Sequence, residues 1–467
     1  MKKKILIFGA AALMSVTTLL GATSCNGTSS SQTSSENKVN VYEVPFDTTK
    51  EIKINFYHTM GQTLQEVFEM YLEDFNDKYP NIKVKHTSVG NYDDVRDQLT
   101  TEISSQKPDG ATLTYCYPDH IAMYNQAKSV VPLDGFIDSQ IKIGNTNEII
   151  GLTDAQLDDY VDKYYEEGNQ FGDGKMYSLP FSKSSEILYY NKTEFDRLNL
   201  SVPDHWFSTG VNDTTSVEYA CKKIKEANPD STPLGYDSGA NWFITMCEQT
   251  GAPYTSALGD HYLFNNAQTK EFVSKFVEWR ERGYVTTKAI LGSYTSSSFT
   301  NKELYMCIGS SAGASYQQPA DNSFEVGIAT VPQHDAINHK AVIQQGPSVC
   351  IFNNNDPQVV IASWLLLKFF TLNADFQAQF SLSSGYTPVI KSVEENEAYA
   401  AELAKDGIQA RAIKQCLAQK DYYFISPAFV GSSKAREQAE NIMTRSLNKE
   451  DTLDNIFADA IMECTKN

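Results

Sequence analysis

The chain has 467 residues, which are enough for two domains of ordinary size. It carries 39 Lys and Arg against 58 Asp and Glu, and this formal net charge of −19 at pH 7 argues against nucleic acid or an anionic membrane surface as the main partner. A small anionic ligand stays compatible with it, because surface charges are screened beyond about 8 Å at physiological salt.

The N-terminus has the organisation of a secretory signal. Three lysines precede an apolar stretch over residues 5–20, and Gly-Ala-Thr-Ser-Cys follows at residues 21–25. This arrangement resembles a bacterial lipoprotein signal, in which the cysteine receives a diacylglycerol. We predict a signal peptide over residues 1–24, lipidation of Cys25 and a flexible tether over residues 25–50, with the protein anchored at the outer face of the cell membrane. A tethering helix that is never cleaved is the alternative.

Seven cysteines remain after Cys25, at irregular spacing and without a C-x-x-C pair. An odd number leaves at least one free thiol. Cys116, Cys307 and Cys350 each lie in an apolar, strand-like run, where a cysteine packs as a small hydrophobic residue. We predict that these three belong to the core. Disulfides and metal ligands are the alternatives.

The first part of the chain alternates strand and helix patterns. Residues 52–57, 82–84 and 111–117 predict strands, residues 64–75 have apolar side chains at helical spacing, and residues 91–94 open a second helix. This order predicts a parallel sheet with helices on both faces.

Ligands bind off the carboxyl ends of the strands in such sheets. Two loops fall at that edge. One leads to Gly90-Asn91-Tyr92, and the other contains Tyr117, Asp119 and His120.

Residues 172–195 predict a turn and two short strands. Gly172-Asp173-Gly174 forms the turn, Pro180 ends the first run, and residues 187–190 form an apolar strand. The polar residues between the strands predict an exposed segment, where ligand contacts tend to lie. An ordinary loop between two strands is the alternative.

The rest of the chain contains no internal repeat and predicts mixed helices and strands. The predicted helices cover residues 206–228, 270–282, 359–370 and most of the chain from residue 394. The predicted strands cover residues 304–308, 326–329 and 342–352, and residues 235–242 are predicted as a polar and aromatic loop.

Several of these segments together resemble the family 1 extracellular solute-binding proteins that serve ABC importers. The resemblance rests on the order and spacing of four segments. They are Asn-Ile-Lys-Val at residues 81–84, Pro-Asp-His-Trp at residues 203–206, Ser-Gly-Tyr-Thr-Pro at residues 384–388, and residues 172–195, which contain Leu179-Pro180 and Tyr189-Tyr190-Asn191-Lys192. It implies an α/β, type II periplasmic-binding-protein-like fold. In this fold two lobes, each a mostly parallel sheet flanked by helices, enclose the ligand in the cleft between them.

The resemblance also implies that crossing segments join the lobes and that the lobes close over the ligand. We assign residues 51–160 and about 325–380 to lobe 1. Residues 161–324 and about 381–467, with the C-terminal helices, are assigned to lobe 2.

Within that family, the chain is most similar to the glycerol-3-phosphate-binding proteins. This similarity implies ligand contacts at Tyr92, Ser311, Gly346, Tyr386 and Arg436. Tyr117 departs from those relatives, which carry an acid there that holds the glycerol hydroxyls, and the 235–242 loop lacks one of their Trp residues. A sugar therefore stays open as the ligand beside glycerol 3-phosphate or a phosphodiester.

Two cations fit an anionic or a hydroxylated ligand. The planar guanidinium of Arg436 holds a phosphate or a pair of hydroxyls bidentately. Lys183, next to Ser184 in the 172–195 segment, is the second candidate. The structural alternatives are an Arg436 that pairs with Glu437 or Glu440, and a surface Lys183.

Four aromatic residues fit a sugar. The rings of Tyr92, Tyr117, Tyr386 and Trp242 present flat faces to C–H groups, and their hydroxyls or indole N–H form hydrogen bonds. Ordinary packing is the alternative, because the chain contains 26 tyrosines.

Residues 309–313 fit the G-x-S-x-G pattern of hydrolases, with Ser311 as the nucleophile. Asp335 and His339 follow within about 30 residues, too close for the separate strand ends that present the acid and the His in that fold. This spacing argues against a hydrolase, so a surface-tethered secreted hydrolase using Ser311 is kept only as the alternative function. No H-E-x-x-H, P-loop, G-x-G-x-x-G or EF-hand motif appears, so we predict no metal and no cofactor.

The sequence thus predicts a monomeric, non-enzymatic binding protein. It would capture a small polar solute, a sugar or a glycerol phosphate, and deliver it to the permease subunits of an ABC importer.

Overall fold

The structure, a computed structural model, describes residues 40–105, 107, 109–334 and 339–466. The predicted signal peptide, Cys25 and the tether up to residue 39 lie outside the described residues. Within them, no single helix is long and apolar enough to cross a membrane, and one pair of helices bent by 69° passes the same test together.

Residues 40–50 are not part of a free tether. The Tyr42 hydroxyl donates to the Pro132 carbonyl (2.7 Å), and Phe46 is buried. The prediction of a flexible tether up to residue 50 is therefore wrong at its C-terminal end, because these residues pack on the folded chain.

The described strands belong to two sheets. They are β1 Ile52–His58, β2 Ile82–Ser88, β3 Leu113–Cys116, β4 Leu179–Pro180, β5 Ser184–Asn191, β6 Leu234–Tyr236, β7 Val285–Thr287, β8 Met306–Ser310, β9 Val326–Ala329, β10 Val342–Gln345, β11 Ser348–Ile351 and β12 Tyr423–Phe424.

The described α-helices are α1 Gln62–Lys78, α2 Tyr92–Ser105, α3 Pro118–Tyr124, α4 Asp134–Ile137, α5 Asp154–Asp159, α6 Asp162–Glu166, α7 Lys192–Leu198, α8 Val217–Ala227, α9 Gly239–Thr250, α10 Ala267–Glu281, α11 Lys288–Leu291, α12 Thr295–Thr300, α13 Pro357–Leu372, α14 Ala374–Ser384, α15 Glu397–Ala404, α16 Ile408–Ala418, α17 Ser432–Leu447 and α18 Leu453–Thr465. Short 3₁₀ helices cover Val41–Glu43, Asn125–Ala127, Glu167–Asn169, Ser311–Gln317, Lys391–Glu395 and Lys420–Tyr422.

The first sheet has the strand order β2-β1-β3-β11-β4. Its β2-β1-β3 part is parallel, as the alternation of strand and helix patterns predicted, and β11 pairs antiparallel with β3. Helices cover both faces: Phe68 of α1 stacks on Phe370 of α13 (ring centroids 4.4 Å apart), whereas α2 covers the opposite face. The sheet is therefore buried on both sides, as parallel sheets require.

The second sheet has the order β12-β10-β5-β8-β6-β7, and β9 also pairs with β5. All eight residues of β5 are buried, because β5 lies at the centre of this sheet. Helices α9, α10 and α17 pack beside it, with the rings of Trp242 and Phe276 4.1 Å apart. The chain is thus α/β, with two sheets flanked by helices.

Most predicted elements are confirmed, and Cys116, Cys307 and Cys350 are buried free thiols as predicted. Two predictions are wrong, the start of the helix predicted over residues 206–228 and the loop predicted over residues 235–242. Residues 206–216 are not helical; the helix starts only after Ser216, whose side chain accepts from the Tyr219 N–H, because residues 208–215 are rich in residues that favour turns. The 235–242 region is not a loop, since it contains the end of β6 and the first turn of α9.

Two short passages of the chain connect the sheets directly, from β4 to β5 and from β10 to β11. The chain leaves the first sheet after β4 and enters the second with β5, and it returns from β10 to β11. The two passages run side by side, because β10 pairs with β5 and β11 pairs with β4. The single strand predicted over residues 342–352 is therefore wrong, since its halves belong to different sheets. We call residues 180–184 and 345–348 the crossing.

The predicted lobe boundaries stay a prediction, but three strands lie in a different sheet from the other strands assigned to the same lobe. Strands β9 and β10 fall in the segment assigned to lobe 1 but lie in the second sheet. Strand β4 falls in the segment assigned to lobe 2 but lies in the first sheet.

Gly346 makes the close approach within the crossing possible. Its φ is +86°, and a Cβ there would lie 2.4 Å from the Ser182 carbonyl oxygen. Only glycine adopts this conformation without strain and leaves room for the neighbouring backbone.

Lys183 and Glu167 form an ion pair that is buried at the crossing; the Lys183 side chain is 0% exposed. The Lys183 ammonium also donates to the Gly346 carbonyl and to Ser348 Oγ, both at 3.0 Å. Glu167 accepts from Ser348 Oγ (2.7 Å) and from Gln344 Nε2 (3.1 Å). The predicted exposed segment after Pro180 is therefore buried, because its polar groups find partners in distant parts of the chain.

Gly346→Ala should lower the free energy of unfolding by about 1 to 3 kcal/mol, because the added Cβ clashes with Ser182 and the backbone is strained. Denaturant unfolding measures this loss. Gly210→Ala is the matched control, since an added Cβ there meets no atom within 4 Å. Equal stability of the two variants would contradict the close crossing.

Lys183→Met should lower the free energy of unfolding by about 3 to 5 kcal/mol, because it leaves the buried Glu167 carboxylate without its cation. The control is Lys391→Met, which removes an exposed ion pair with Asp162 (2.8 Å) and should cost less than about 1 kcal/mol. A Lys183→Met protein as stable as the control would show that the pair does not hold the crossing.

Candidate functional site

A cleft of about 770 Å³ lies where the carboxyl ends of strands from both sheets meet. Tyr92 begins α2 after β2, and Tyr117 follows β3 immediately before α3. From the second sheet, Asp237 and Ser238 follow β6, and Arg436 comes from α17. The cleft therefore occupies the position that the strand order predicts for a ligand.

Aromatic side chains form one wall of the cleft. The rings of Tyr92 and Tyr117 meet edge to face (centroids 4.8 Å apart), and His120 packs against Tyr117 (5.9 Å). The Tyr117 hydroxyl accepts a hydrogen bond from the Gly346 N–H (3.2 Å), which ties this wall to the crossing. Burial, and then the neighbouring Tyr386, raises the pKa of Tyr92 and Tyr117. Both hydroxyls are therefore neutral at physiological pH.

Acids outnumber bases on the cleft wall. The lining acids are Asp93, Asp119, Glu167, Asp237, Glu437 and Glu440, and the lining bases are Arg96, Lys288 and Arg436. Arg96 is already paired with Asp93 (2.7 Å), and the Lys288 ammonium lies 3.7 Å from the centre of the Tyr294 ring. Two further acids are paired as well, Glu167 with Lys183 and Glu437 with Lys434 (3.0 Å). The surplus of hydrogen-bond acceptors therefore comes from Asp119, Asp237 and Glu440.

Two of the acids are held by backbone groups. Glu440 accepts from the Ala240 N–H at the N-terminus of α9 (2.7 Å), where the helix dipole favours a negative charge. Asp237 accepts from the N–H and the hydroxyl of Thr295 (2.9 and 2.8 Å), and burial raises its pKa.

Arg436 is the cation of the second-sheet wall. Its guanidinium donates to Asn241 Oδ1, and Asn241 Nδ2 donates to Glu186 Oε1 (2.8 Å). The Tyr236 hydroxyl donates to the other oxygen of Glu186 (2.5 Å). The alternative pairing of Arg436 with Glu437 or Glu440 is therefore not the arrangement found, because Asn241 takes the hydrogen bond.

Seven polar atoms on the cleft wall are buried and form no hydrogen bond with the described residues. They are Tyr92 Oη, His120 Nδ1, Tyr254 Oη, Thr255 Oγ1, Gln344 Oε1, Gln345 Oε1 and Ser426 Oγ. A buried polar atom without a partner costs about 1 to 3 kcal/mol. Their concentration on one surface indicates a ligand with both donors and acceptors.

The structure brings three predicted site residues together on the cleft wall: Tyr92, Tyr117 and Arg436. Tyr386 lies behind them, half-buried, with its ring stacked on Phe380 (6.1 Å). Contact between these residues and a solute stays a prediction.

Besides Tyr386, five predicted site residues do not line the cleft. Lys183, Ser184 and Gly346 are buried at the crossing, and Ser184 Oγ accepts from Ser310 (3.2 Å). Ser311 is buried beneath Gly385. Trp242 is fully enclosed, with its ring stacked on Tyr236 (5.1 Å).

Sequence reasoning missed Glu186 and Asn241. Glu186 is the acid that directly precedes an apolar strand, and that position was the available signal. Nothing in the sequence shows that it meets Asn241, 55 residues later.

The geometry gives the hydrolase hypothesis no support. The Ser311 hydroxyl is buried and donates to Cys416 Sγ (3.7 Å), whereas His339 is exposed and lies 3.2 Å from Glu248. Asp335 lies outside the described residues. Over the described ranges, no group of three or more His, Cys, Asp or Glu side chains is placed to hold a metal ion.

Comparison with known proteins agrees with this fold. The family model of bacterial extracellular solute-binding proteins matches residues 70–406. The sn-glycerol-3-phosphate-binding periplasmic protein UgpB of Escherichia coli (strain K12) is 23% identical over 357 residues, which are 73% of this chain and 74% of that protein.

Two solved structures show the same two-lobed fold. One is UgpB from Mycobacterium tuberculosis in complex with glycerophosphocholine, with a TM-score of 0.70 and 17% identity, covering 88% of this chain and 97% of that chain. The other is the cyclic alpha-maltosyl-1,6-maltose binding protein from Arthrobacter globiformis, with a TM-score of 0.69 and 18% identity, covering 88% and 98%. The resemblance and the fold class predicted from the sequence are thus confirmed, and the chain belongs to the family of bacterial extracellular solute-binding proteins.

Proposed function

We propose that this protein is a lipid-anchored substrate-binding protein of an ABC importer. It captures a small polar solute in the cleft, closes its lobes over the solute and delivers it to the membrane permease as a monomer, without catalysing a reaction. Family membership supports the binding role, and the residue 1–25 pattern supports the anchor.

The chemistry of the cleft wall carries the proposal. It combines the half-buried rings of Tyr92 and Tyr117, a surplus of carboxylates, and seven buried polar atoms that hydrogen-bond to no described residue. Carboxylates accept hydrogen bonds from hydroxyls but repel phosphate. We therefore favour a neutral, hydroxyl-rich solute such as an oligosaccharide, for which Arg436 would bind a pair of hydroxyls.

Glycerol 3-phosphate or a phosphodiester is the competing ligand class. Escherichia coli UgpB is named for sn-glycerol 3-phosphate, and the Mycobacterium tuberculosis protein was solved with glycerophosphocholine. Arg436 and Lys288 are the cleft cations that would meet a phosphate.

Calorimetric titration with mono- to trisaccharides, glycerol 3-phosphate and glycerophosphodiesters decides between the two classes. A neutral solute should bind with an affinity that barely responds to salt, because little charge is neutralised. If the protein bound none of these solutes and instead cleaved an ester or glycan, the transport proposal would be wrong.

Arg436→Ala should weaken binding of the true solute by about 1.5 to 3 kcal/mol, the usual contribution of a hydrogen bond to a charged group. For a neutral solute, Tyr117→Ala should cost more than Arg436→Ala. Calorimetry at low and high salt measures both. Arg445→Ala is the control, because Arg445 lies on the same helix but pairs with Asp459 (2.9 Å) away from the cleft. Unchanged affinity in Arg436→Ala would remove this residue from the site.

Cys25→Ser should release the protein from the membrane fraction, because a serine hydroxyl is not the thiol that receives the diacylglycerol. Fractionation of expressing cells and incorporation of labelled fatty acid measure the effect. Ser29→Ala, in the same polar segment, serves as the control. A Cys25→Ser protein that stays in the membrane fraction would favour the uncleaved tethering helix.

A further inference from the structure

A carboxylate is buried behind the cleft, at the centre of the second sheet. Glu186 lies on β5, is 1% exposed, and pairs through its backbone with Ser310 of β8. Burying a charge is costly unless hydrogen bonds compensate. Glu186 therefore needs the two donors that it has, the Tyr236 hydroxyl (2.5 Å) and Asn241 Nδ2 (2.8 Å).

The hydrogen-bond roles in this chain allow one orientation of the Asn241 amide. An ionised carboxylate only accepts hydrogen bonds and a guanidinium only donates them. Asn241 lies between these two groups, so its NH₂ must face Glu186 and its oxygen must face Arg436. The amide thus transmits the charge state of Glu186 to the guanidinium.

The chain of hydrogen bonds ends at the cleft. Asn241 is 2% exposed in the first turn of α9, a helix capped by Ser238, so its position is fixed by the core. Arg436 lines the cleft from α17, which packs on α9. The orientation of Asn241 therefore decides where the guanidinium is held.

We propose that Glu186 is a positioning residue of the solute site, which in its ionised form fixes Asn241 so that Arg436 is held ready for the solute. This inference rests on the proposed function, since it assigns the cleft to solute binding.

The environment of Glu186 moves its ionisation into the neutral range. Burial raises the pKa of this carboxyl to about 7, against the opposing effects of the hydrogen bonds from Tyr236 and Asn241 and of the Arg436 charge. Asp237, in the turn after β6, raises it further. On the other side, Gln419 donates to the Glu186 carbonyl oxygen, which carries no charge.

Protonation of Glu186 removes the constraint on the amide. A protonated carboxyl has an O–H donor, so Asn241 is free to turn its oxygen toward Glu186 and its NH₂ toward Arg436. Two donors would then face each other, and the guanidinium would lose its support. Solute affinity should accordingly rise as the pH rises through about 7.

The first experiment needs no solute. Side-chain ¹⁵N–¹H signals of Asn241 and Arg436 are followed by NMR from about pH 5.5 to about pH 8.5, a range that brackets the pKa of Glu186. Asn241→Leu identifies the amide signal. We expect both residues to titrate with a midpoint near 7 in the unsubstituted protein and not in Glu186→Gln. Signals that do not move, or that titrate equally in Glu186→Gln, would overturn the proposal.

Glu102→Gln is the matched control, because Glu102 is also buried but lies on α2 and pairs with Lys107 (2.9 Å) outside the cleft. It should leave both titrations unchanged. If Glu186→Gln does not fold, the titration of the unsubstituted protein still decides, since a carboxylate that does not control Asn241 leaves no midpoint near 7 in the amide signal.

The second experiment measures affinity for maltotriose and for sn-glycerol 3-phosphate at both ends of this pH range. A probe that binds should do so roughly tenfold more tightly at the upper pH, the effect of about 1.4 kcal/mol, and Glu186→Gln should abolish the difference. Equal affinity at both pH values would overturn the proposal. Failure of both probes to bind counts against the proposed function instead, and the NMR titration then decides the role of Glu186.

Discussion

The buried ion pair between Lys183 and Glu167 is the constraint on which the two-lobed arrangement depends. Removing two charges from water is expensive, and the structure offsets this cost with bonds from the ammonium to Gly346 and Ser348 and from the carboxylate to Ser348 and Gln344. Lys183 belongs to one passage of the crossing, and its partners Gly346 and Ser348 belong to the other. The pair therefore holds the two passages in one geometry at the point where the chain changes sheet.

The position of the cleft follows from that geometry. Because β4 leads to β5 and β10 leads to β11 side by side, the carboxyl edges of the two sheets face a common space. The Tyr117 hydroxyl bonds to the Gly346 N–H, so the aromatic wall is attached to the crossing itself. A change of angle at the crossing would move Tyr92 and Tyr117 relative to Arg436, which is the motion that closure on a solute requires.

The elements set by local periodicity could be predicted from the sequence. Residues 52–117 show the alternation of strand and helix that gives β1 to β3, and the edge rule for parallel sheets led to Tyr92 and Tyr117. Burial of Lys183 could not be predicted, because Glu167 and Ser348 are brought to it only by the fold. An apolar run over residues 342–352 likewise does not show which sheet each half joins. The role of Glu186 could not be predicted either, because its two hydrogen-bond donors, Tyr236 and Asn241, lie about 50 residues later in the chain and are brought to it only by the fold.

Lobe closure on a solute is the central claim, and a distance between the lobes tests it most directly. Spin labels on Asp97→Cys in α2 and Ser293→Cys before α12 report this distance, and the native cysteines of the described residues are all buried. The account predicts a shorter distance when maltotriose or glycerophosphocholine, whichever titration shows to bind, saturates the protein. A distance that stays the same with the solute bound would contradict it.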